Sequence, residues 1–180
     1  MKNRNNILLI ITGSIAAYKS LDLIRLLRKG NIGVKCVLTK GGEEFVTPLS
    51  IASLSGNQVY NDLFSLREGA YIEHITLTRE ADLVVVAPAS ADIIARMANG
   101  LADDLATTTL LASDKKIIIA PAMNARMWES RAVARNINVL KGDGVSIVGP
   151  GRGELACGEE GDGKMIDPEE IYKKIMEALK

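Results

Sequence analysis

The chain's single tryptophan and a carboxamide lie four residues apart in Pro121-Ala122-Met123-Asn124-Ala125-Arg126-Met127-Trp128. The apolar run Ile117-Ile118-Ile119-Ala120 precedes them and reads as a buried strand. Asn124 is thereby delivered to the C-terminal edge of a sheet, where ligands sit in open α/β folds. A Pro-terminated strand, an Asn helix cap and a packed Trp explain the same spacing. His74, in Tyr71-Ile72-Glu73-His74-Ile75, is the only histidine, so any imidazole chemistry has to use it; a lone histidine also serves structure. It falls just ahead of the strand that leads to Pro88. Cys157, in Leu155-Ala156-Cys157-Gly158-Glu159, lies in a glycine-rich stretch where packing does not explain a thiol. Cys36 sits in a β-branched run and reads as a small buried hydrophobe. No His/Cys grouping has metal-ligand spacing, and no GxSxG elbow occurs.

Three further strand ends could join Asn124 at one rim. In Ile11-Thr12-Gly13-Ser14-Ile15-Ala16-Ala17 a strand runs through Gly-Ser into a helix, so helix-start N–H groups and the Ser14 hydroxyl could hold a phosphate. An ordinary Ser N-cap fits as well. Leu38-Thr39-Lys40-Gly41-Gly42 closes the second strand and again exposes amides. Ala87-Pro88-Ala89-Ser90-Ala91-Asp92 is small enough for a flat ring or a phosphate to approach the backbone, or is a tight turn with Ser90 or Asp92 capping the next helix. GxGxxG is absent and no acid follows the second strand to hold a ribose, which disfavours NAD and leaves a mononucleotide or flavin phosphate.

The elements that must position these residues alternate. Strands are predicted at Ile7–Ile11, Val34–Leu38, Leu83–Ala87, Ile117–Ala120 and Ser146–Val148. Helices are predicted at Ala16–Arg28, Pro48–Ser53, Asp92–Ala98, Asp104–Ala112, Ser130–Lys141 and Pro168–Leu179. Strands that are apolar throughout, between amphipathic helices, predict an α/β doubly wound domain, Rossmann-like or flavodoxin-like, with a mainly parallel sheet. Asn57–Glu73 reads as irregular, and Gly149–Gly163, with six of the chain's 16 glycines, as a mobile flap. At 180 residues a single domain over 1–180 is expected. Lys+Arg 22 against Asp+Glu 22 leaves no basic field for nucleic acid or an anionic membrane. No apolar run is long enough to span a bilayer or to make a signal h-region, so a cytoplasmic protein is expected.

Pro121–Trp128 carries the PxMNxxMW pattern of the homo-oligomeric flavin-containing cysteine decarboxylases. Ala87–Asp92, Asn99–Leu105, His74 and Ala156-Cys157-Gly158 fall in that family's order and spacing. The chain resembles the family over nearly its whole length, and most resembles the branch acting on 4'-phosphopantothenoylcysteine. The resemblance implies FMN held by Gly13, Ser14, Ile15, Thr39, Lys40, Gly41, Ser90, Ala91, Asp92, Ile93 and Ala122. It implies a catalytic His74, and Asn124 on the substrate carboxylate with Met127 and Ala156 beside it. Cys157 would act late as a proton donor. The implied reaction is FMN-dependent decarboxylation to 4'-phosphopantetheine in coenzyme A biosynthesis, through thioaldehyde and ene-thiolate intermediates. The implied partners are further copies of the chain, as a trimer or dodecamer, and a phosphopantothenate-cysteine ligase. The alternatives are a peptidyl-cysteine decarboxylase of peptide-antibiotic maturation and a non-catalytic flavin-binding regulatory subunit. One position departs from the family's pattern: Asp92 stands where the motif has Asn, so a group that donates and accepts becomes one that only accepts.

Overall fold

A computed structural model of the chain describes residues 5–63, 73–154, 158 and 160–180. The first strand, β1 (Asn6–Ile11), is apolar after its first residue because both its faces are covered. Its alternate side chains enter two cores: Ile7, Leu9 and Ile11 join one, and Leu8 and Ile10 join the other. Helix α1 (Ala17–Lys29) buries Ala17, Ser20, Leu23, Ile24 and Leu27, the stripe of a helix with one face on a sheet. Asn31, at φ 59, turns the chain into β2 (Gly33–Leu38), in the left-handed region that Asn enters more readily than most residues. Then follow α2 (Lys40–Glu43), α3 (Pro48–Ser55), β3 (Val59–Tyr60) and α4 (Glu73–Glu80). The second half runs β4 (Leu83–Ala89), α5 (Ala91–Ala98), α6 (Leu105–Leu111), β5 (Ile117–Pro121), α7 (Ala125–Trp128), α8 (Arg131–Gly142) and β6 (Ser146–Ile147). A hairpin of β7 (Gly151–Glu154) and β8 (Glu160–Lys164) precedes α9 (Pro168–Ala178).

The main sheet is parallel, in the order β3-β2-β1-β4-β5-β6. This is the expected doubly wound α/β fold, and its strand order reverses between β1 and β4. That switch point leaves a crevice outside the carboxyl ends of the two strands, and loops from both open into it. The first core lies under α1, α3 and α9; the second lies under α4, α5, α6 and α8.

The structure departs from the sequence expectations in four places. Residues 73–80 form α4, an element that the sequence left unassigned, so His74 lies on a helix just ahead of β4. The alternation Ile75-Thr76-Leu77-Thr78 mimics strand spacing, but Leu77, Thr78 and Ala81 bury together against β1 and α6. Thr78 Oγ1 donates back to the carbonyls of His74 (3.1 Å) and Ile75 (2.9 Å), the local bond that lets threonine sit inside a helix. Val59–Tyr60 adds a short edge strand to β2 at Cys36 and Val37. Much of the glycine-rich stretch expected as a flap is the β7–β8 hairpin. Ser14 does not cap α1, whose N-cap is Ala16; the Ser14 Oγ instead accepts Ala16 N–H at 3.2 Å in a local turn.

Candidate functional site

The switch point is built around one buried hydroxyl. Thr12 follows β1 directly, and its Oγ1 donates to the Pro88 carbonyl at 2.7 Å while accepting Ser90 N–H at 3.0 Å. Ser20 Oγ, buried on α1, donates to the Ala87 carbonyl at 2.7 Å. These bonds fix the Gly13-Ser14-Ile15 turn against the Ala89-Ser90 turn. Gly13 also meets the Thr39-Lys40-Gly41 turn closely: a Cβ at Gly13 would sit 3.1 Å from the Gly41 carbonyl carbon, and one at Gly41 would sit 3.3 Å from Gly13 Cα. Three strand-end loops therefore close on one another, and a side chain at either glycine would force the facing backbone to shift.

Two connected clefts open there. One, of about 640 Å³, is lined by Gly13, Ser14, Ile15, Ser90, Ala91, Ala122, Met123, Asn124 and Met127, with Lys19, Glu154, Lys164 and Met165 on the far wall. The other, of about 700 Å³, is lined by Thr39, Lys40, Gly41, Asp92, Ile93, Arg96, Asp103 and Asp104, and meets the first at Gly13, Ser90, Ala91 and Met127. All eleven residues predicted to hold the cofactor thus line one composite cavity, together with Asn124 and Met127. Ala156 and Cys157 lie outside the described residues. His74 is half-buried on α4 and lines neither cleft.

The lining of the cavity combines two chemistries. At the loop turns the groups are polar: Thr39 Oγ1 accepts Gly42 N–H at 3.1 Å and Ser90 Oγ accepts Ile93 N–H at 3.3 Å. The N–H groups of Ala91 and Asp92, ahead of the capped Ile93 N–H, have no acceptor within α5, and free amides at a helix start can hold an anion. Ile15, Ala122, Met123, Met127 and Met165 supply the cavity's apolar lining. A flat aromatic ring on the apolar wall, with a phosphorylated tail at the turns, fits this arrangement. Gly13 and Gly41 hold two of these turns close together at the cavity's rim.

Asn124 is positioned by its own helix. It is the N-cap of α7, and its Oδ1 accepts Arg126 N–H at 2.8 Å. The structural explanation of the Pro-Ala-Met-Asn spacing, an Asn cap after a Pro-terminated strand, therefore holds. Trp128 packs at the edge of the second core. The segment is braced by β8: Met123 N–H donates to the Gly163 carbonyl at 3.0 Å. Asp103 and Asp104 follow the end of α5 as expected. Asp104 caps α6 in a reciprocal pair with Thr107, with Thr107 N–H donating to Asp104 Oδ1 at 2.8 Å and Asp104 N–H donating to Thr107 Oγ1 at 3.2 Å. Sequence reasoning missed Arg96, Lys19 and Lys164 at the cavity; isolated cations on amphipathic elements carry no signal until the fold turns them inward. Among the described residues no group of His, Cys, Asp and Glu could hold a metal ion. No described helix is long and apolar enough to cross a membrane.

The family profile described as Flavoprotein matches residues 1–180. The coenzyme A biosynthesis bifunctional protein CoaBC of Haemophilus influenzae is 44% identical over 173 residues, which is 96% of this chain and 43% of that protein. The CoaBC protein of Bacillus subtilis matches with the same identity and coverage. The chain thus spans less than half the length of these relatives. Among solved structures, a mutant PPC decarboxylase complexed with pantothenoylaminoethenethiol superposes with a TM-score of 0.87 at 32% identity, covering 97% of both chains. The FMN binding protein AtHal3 gives a TM-score of 0.83 at 32% identity, covering 97% of this chain and 96% of that one. SpaF, an FMN-dependent cysteine decarboxylase, gives 0.82 at 31% identity, covering 98% and 95%.

Proposed function

We propose, from the premise that this chain belongs to the Flavoprotein family, that it binds FMN in the switch-point cavity and decarboxylates 4'-phosphopantothenoylcysteine to 4'-phosphopantetheine in cytoplasmic coenzyme A biosynthesis. The observation that carries this reading is the convergence of Gly13–Ile15, Thr39–Gly41, Ser90–Ile93, Ala122 and Asn124 on one cavity with an apolar wall and amide-lined turns. CoaBC relatives at 44% identity support a place in coenzyme A biosynthesis, and the PPC decarboxylase complexed with pantothenoylaminoethenethiol supports the substrate class.

FMN, when bound, would supply reversible hydride acceptance at the sulfur-bearing carbon, which makes loss of CO₂ accessible. The chain's own residues do the rest. Asn124 has its amide oxygen turned onto the α7 cap, so its orientation is set before substrate arrives. Its amide nitrogen donates to the substrate carboxylate. His74 moves a proton at the thiol or carboxylate. It lines neither cleft of its own chain, so it acts in a homo-oligomer, at the cavity of a neighbouring copy. Ile15, Tyr18 and Met127 are exposed apolar side chains at the cavity, of the kind a second subunit covers. Cys157, between β7 and β8 in the sequence, donates a proton to the enethiolate carbon, and return of the hydride to the sulfur-bearing carbon would complete the thiol product.

The purified chain should be yellow, and heat should release FMN. Cys157→Ser should still release CO₂ but stall at the oxidised ene-thiol. Normal phosphopantetheine from that variant would remove Cys157 from the reaction. Turnover of a peptide with a C-terminal cysteine, and none of the phosphopantothenoyl substrate, would favour the peptidyl-cysteine reading instead.

A further inference from the structure

Asp92 is a carboxylate in the first turn of α5, at the mouth proposed to hold a phosphate. Left alone, such a carboxylate is drawn to the positive end of its own helix, where it would repel the cofactor's dianion. The structure directs it elsewhere. Asp92 Oδ2 is 3.0 Å from Arg96 Nε, one turn further along the helix. Arg96 Nη1 donates to Asp103 Oδ1 at 2.8 Å and lies 3.6 Å from Asp104 Oδ2. One guanidinium thus serves three carboxylates, and all four residues line the same cleft as Thr39, Lys40, Gly41 and Ser90. The fork geometry of arginine allows this; a lysine ammonium offers no such planar fork. Asp104 is already committed to capping α6, so its position is fixed, whereas Asp92 has Arg96 as its ion-pair partner among the described residues. The hydrogen bond to Asp92, with its charge and those of Asp103 and Asp104, pushes the guanidinium pKa further up, so the cation persists at any working pH.

We infer that Arg96 is a positioning residue for the cofactor's anionic end: it draws the Asp92 carboxylate off the first turn of α5 and offsets its neighbours, so that the cleft accepts a phosphate despite the aspartate. This inference rests on the flavin reading of the cavity. It makes Asp92 and Arg96 a matched pair, with the pair, rather than an amide at position 92, keeping the phosphate turn open.

The test compares two flavins that differ only in the phosphate. The full chain is stripped of flavin and titrated with FMN and with riboflavin, following flavin fluorescence. Arg96→Gln should weaken FMN roughly five- to tenfold, the scale of one charge interaction screened by bulk water, and leave riboflavin within about twofold. The FMN defect should shrink as salt is raised. Arg96→Gln combined with Asp92→Asn should recover most of the FMN affinity, and Arg96→Lys should fall between. Equal loss of both flavins would make Arg96 merely structural and overturn the inference, as would unchanged FMN affinity or the absence of rescue. If Arg96→Gln binds FMN like the unsubstituted chain, only the role of Arg96 fails. If the unsubstituted chain binds neither flavin, the cavity reading and the inference fall together.

Discussion

The carbonyl of Gly163 accepts the N–H of Met123 at 3.0 Å, and this bond ties the β7–β8 hairpin to the turn that presents Asn124. The approach is close because Gly163 has no side chain: a Cβ there would lie 2.4 Å from the Met123 carbonyl oxygen, and its φ of 131° lies in the glycine region. Gly161 repeats the pattern, since a Cβ there would lie 2.8 Å from the Ala125 Cβ. Strand β8 thus serves as the outer wall of the cavity and as the brace of α7.

Gly163→Ala should therefore act at a distance from its own position. The strained backbone and the clash should cost roughly 1–3 kcal/mol of stability and displace Asn124 from its cap. Thermal melts and steady-state turnover read the two effects. An alanine variant with unchanged melting and full activity would show that the brace does not position the site.

Asn124 has two roles that substitution separates. Asp is as good an N-cap as Asn, so Asn124→Asp should melt like the unsubstituted chain, yet it sets a like charge against the substrate carboxylate and should lower turnover at least about a hundredfold. Asn124→Ala should lose both, with about 0.5–2 kcal/mol from the cap. Turnover retained in Asn124→Asp would exclude a contact between this side chain and the carboxylate.

Thr12 is the buried link between β1 and the Pro88-Ser90 turn. Thr12→Val keeps the shape but strands one carbonyl and one N–H, at about 1–3 kcal/mol for each group. It should lower the melting temperature and weaken flavin binding together, while Thr12→Ser should recover both. A valine variant that binds flavin normally would mean that the switch point is held by other contacts.

Burial pushes the Cys36 thiol up to about 12 from an ordinary value of 9.0. The folded chain then holds a proton that the unfolded chain releases. This contribution is complete below pH 9 and is lost as pH rises towards 12. Denaturant midpoints should fall over that window, and Cys36→Ala should flatten the fall while costing stability at neutral pH. The native thiol should also resist alkylation at pH 8, as peptide mass analysis would show. Rapid labelling of Cys36 in the folded chain would contradict its burial.

What the sequence made legible follows from how locally each feature is encoded. β1, β2, β4 and β5 are short apolar runs bounded by turn residues, so their positions and their common rim could be read directly. The cap at Asp104 was also legible, and that of α5 was narrowed to Ser90 or Asp92, because a cap is a contact within four residues. The α4 helix was not, since Ile75-Thr76-Leu77-Thr78 has strand spacing and only packing against β1 and α6 decides for helix. Nor was the hairpin: Gly161 and Gly163 mark flexibility in a sequence, but here they mark close approach to Met123 and Ala125. The pairing of Asp92 with Arg96 obeys the four-residue helix rule. Its significance depends on Asp103, Asp104 and the cleft, which only the fold brings alongside.

The central claim is a specific loss of CO₂, and one measurement addresses it most directly. The purified, FMN-loaded chain is incubated with 4'-phosphopantothenoylcysteine and the products are followed by mass spectrometry over time. The account predicts conversion to 4'-phosphopantetheine, with no other reductant supplied and with the flavin oxidised at the end. A flavin-loaded chain that leaves the substrate carboxylate in place would contradict it.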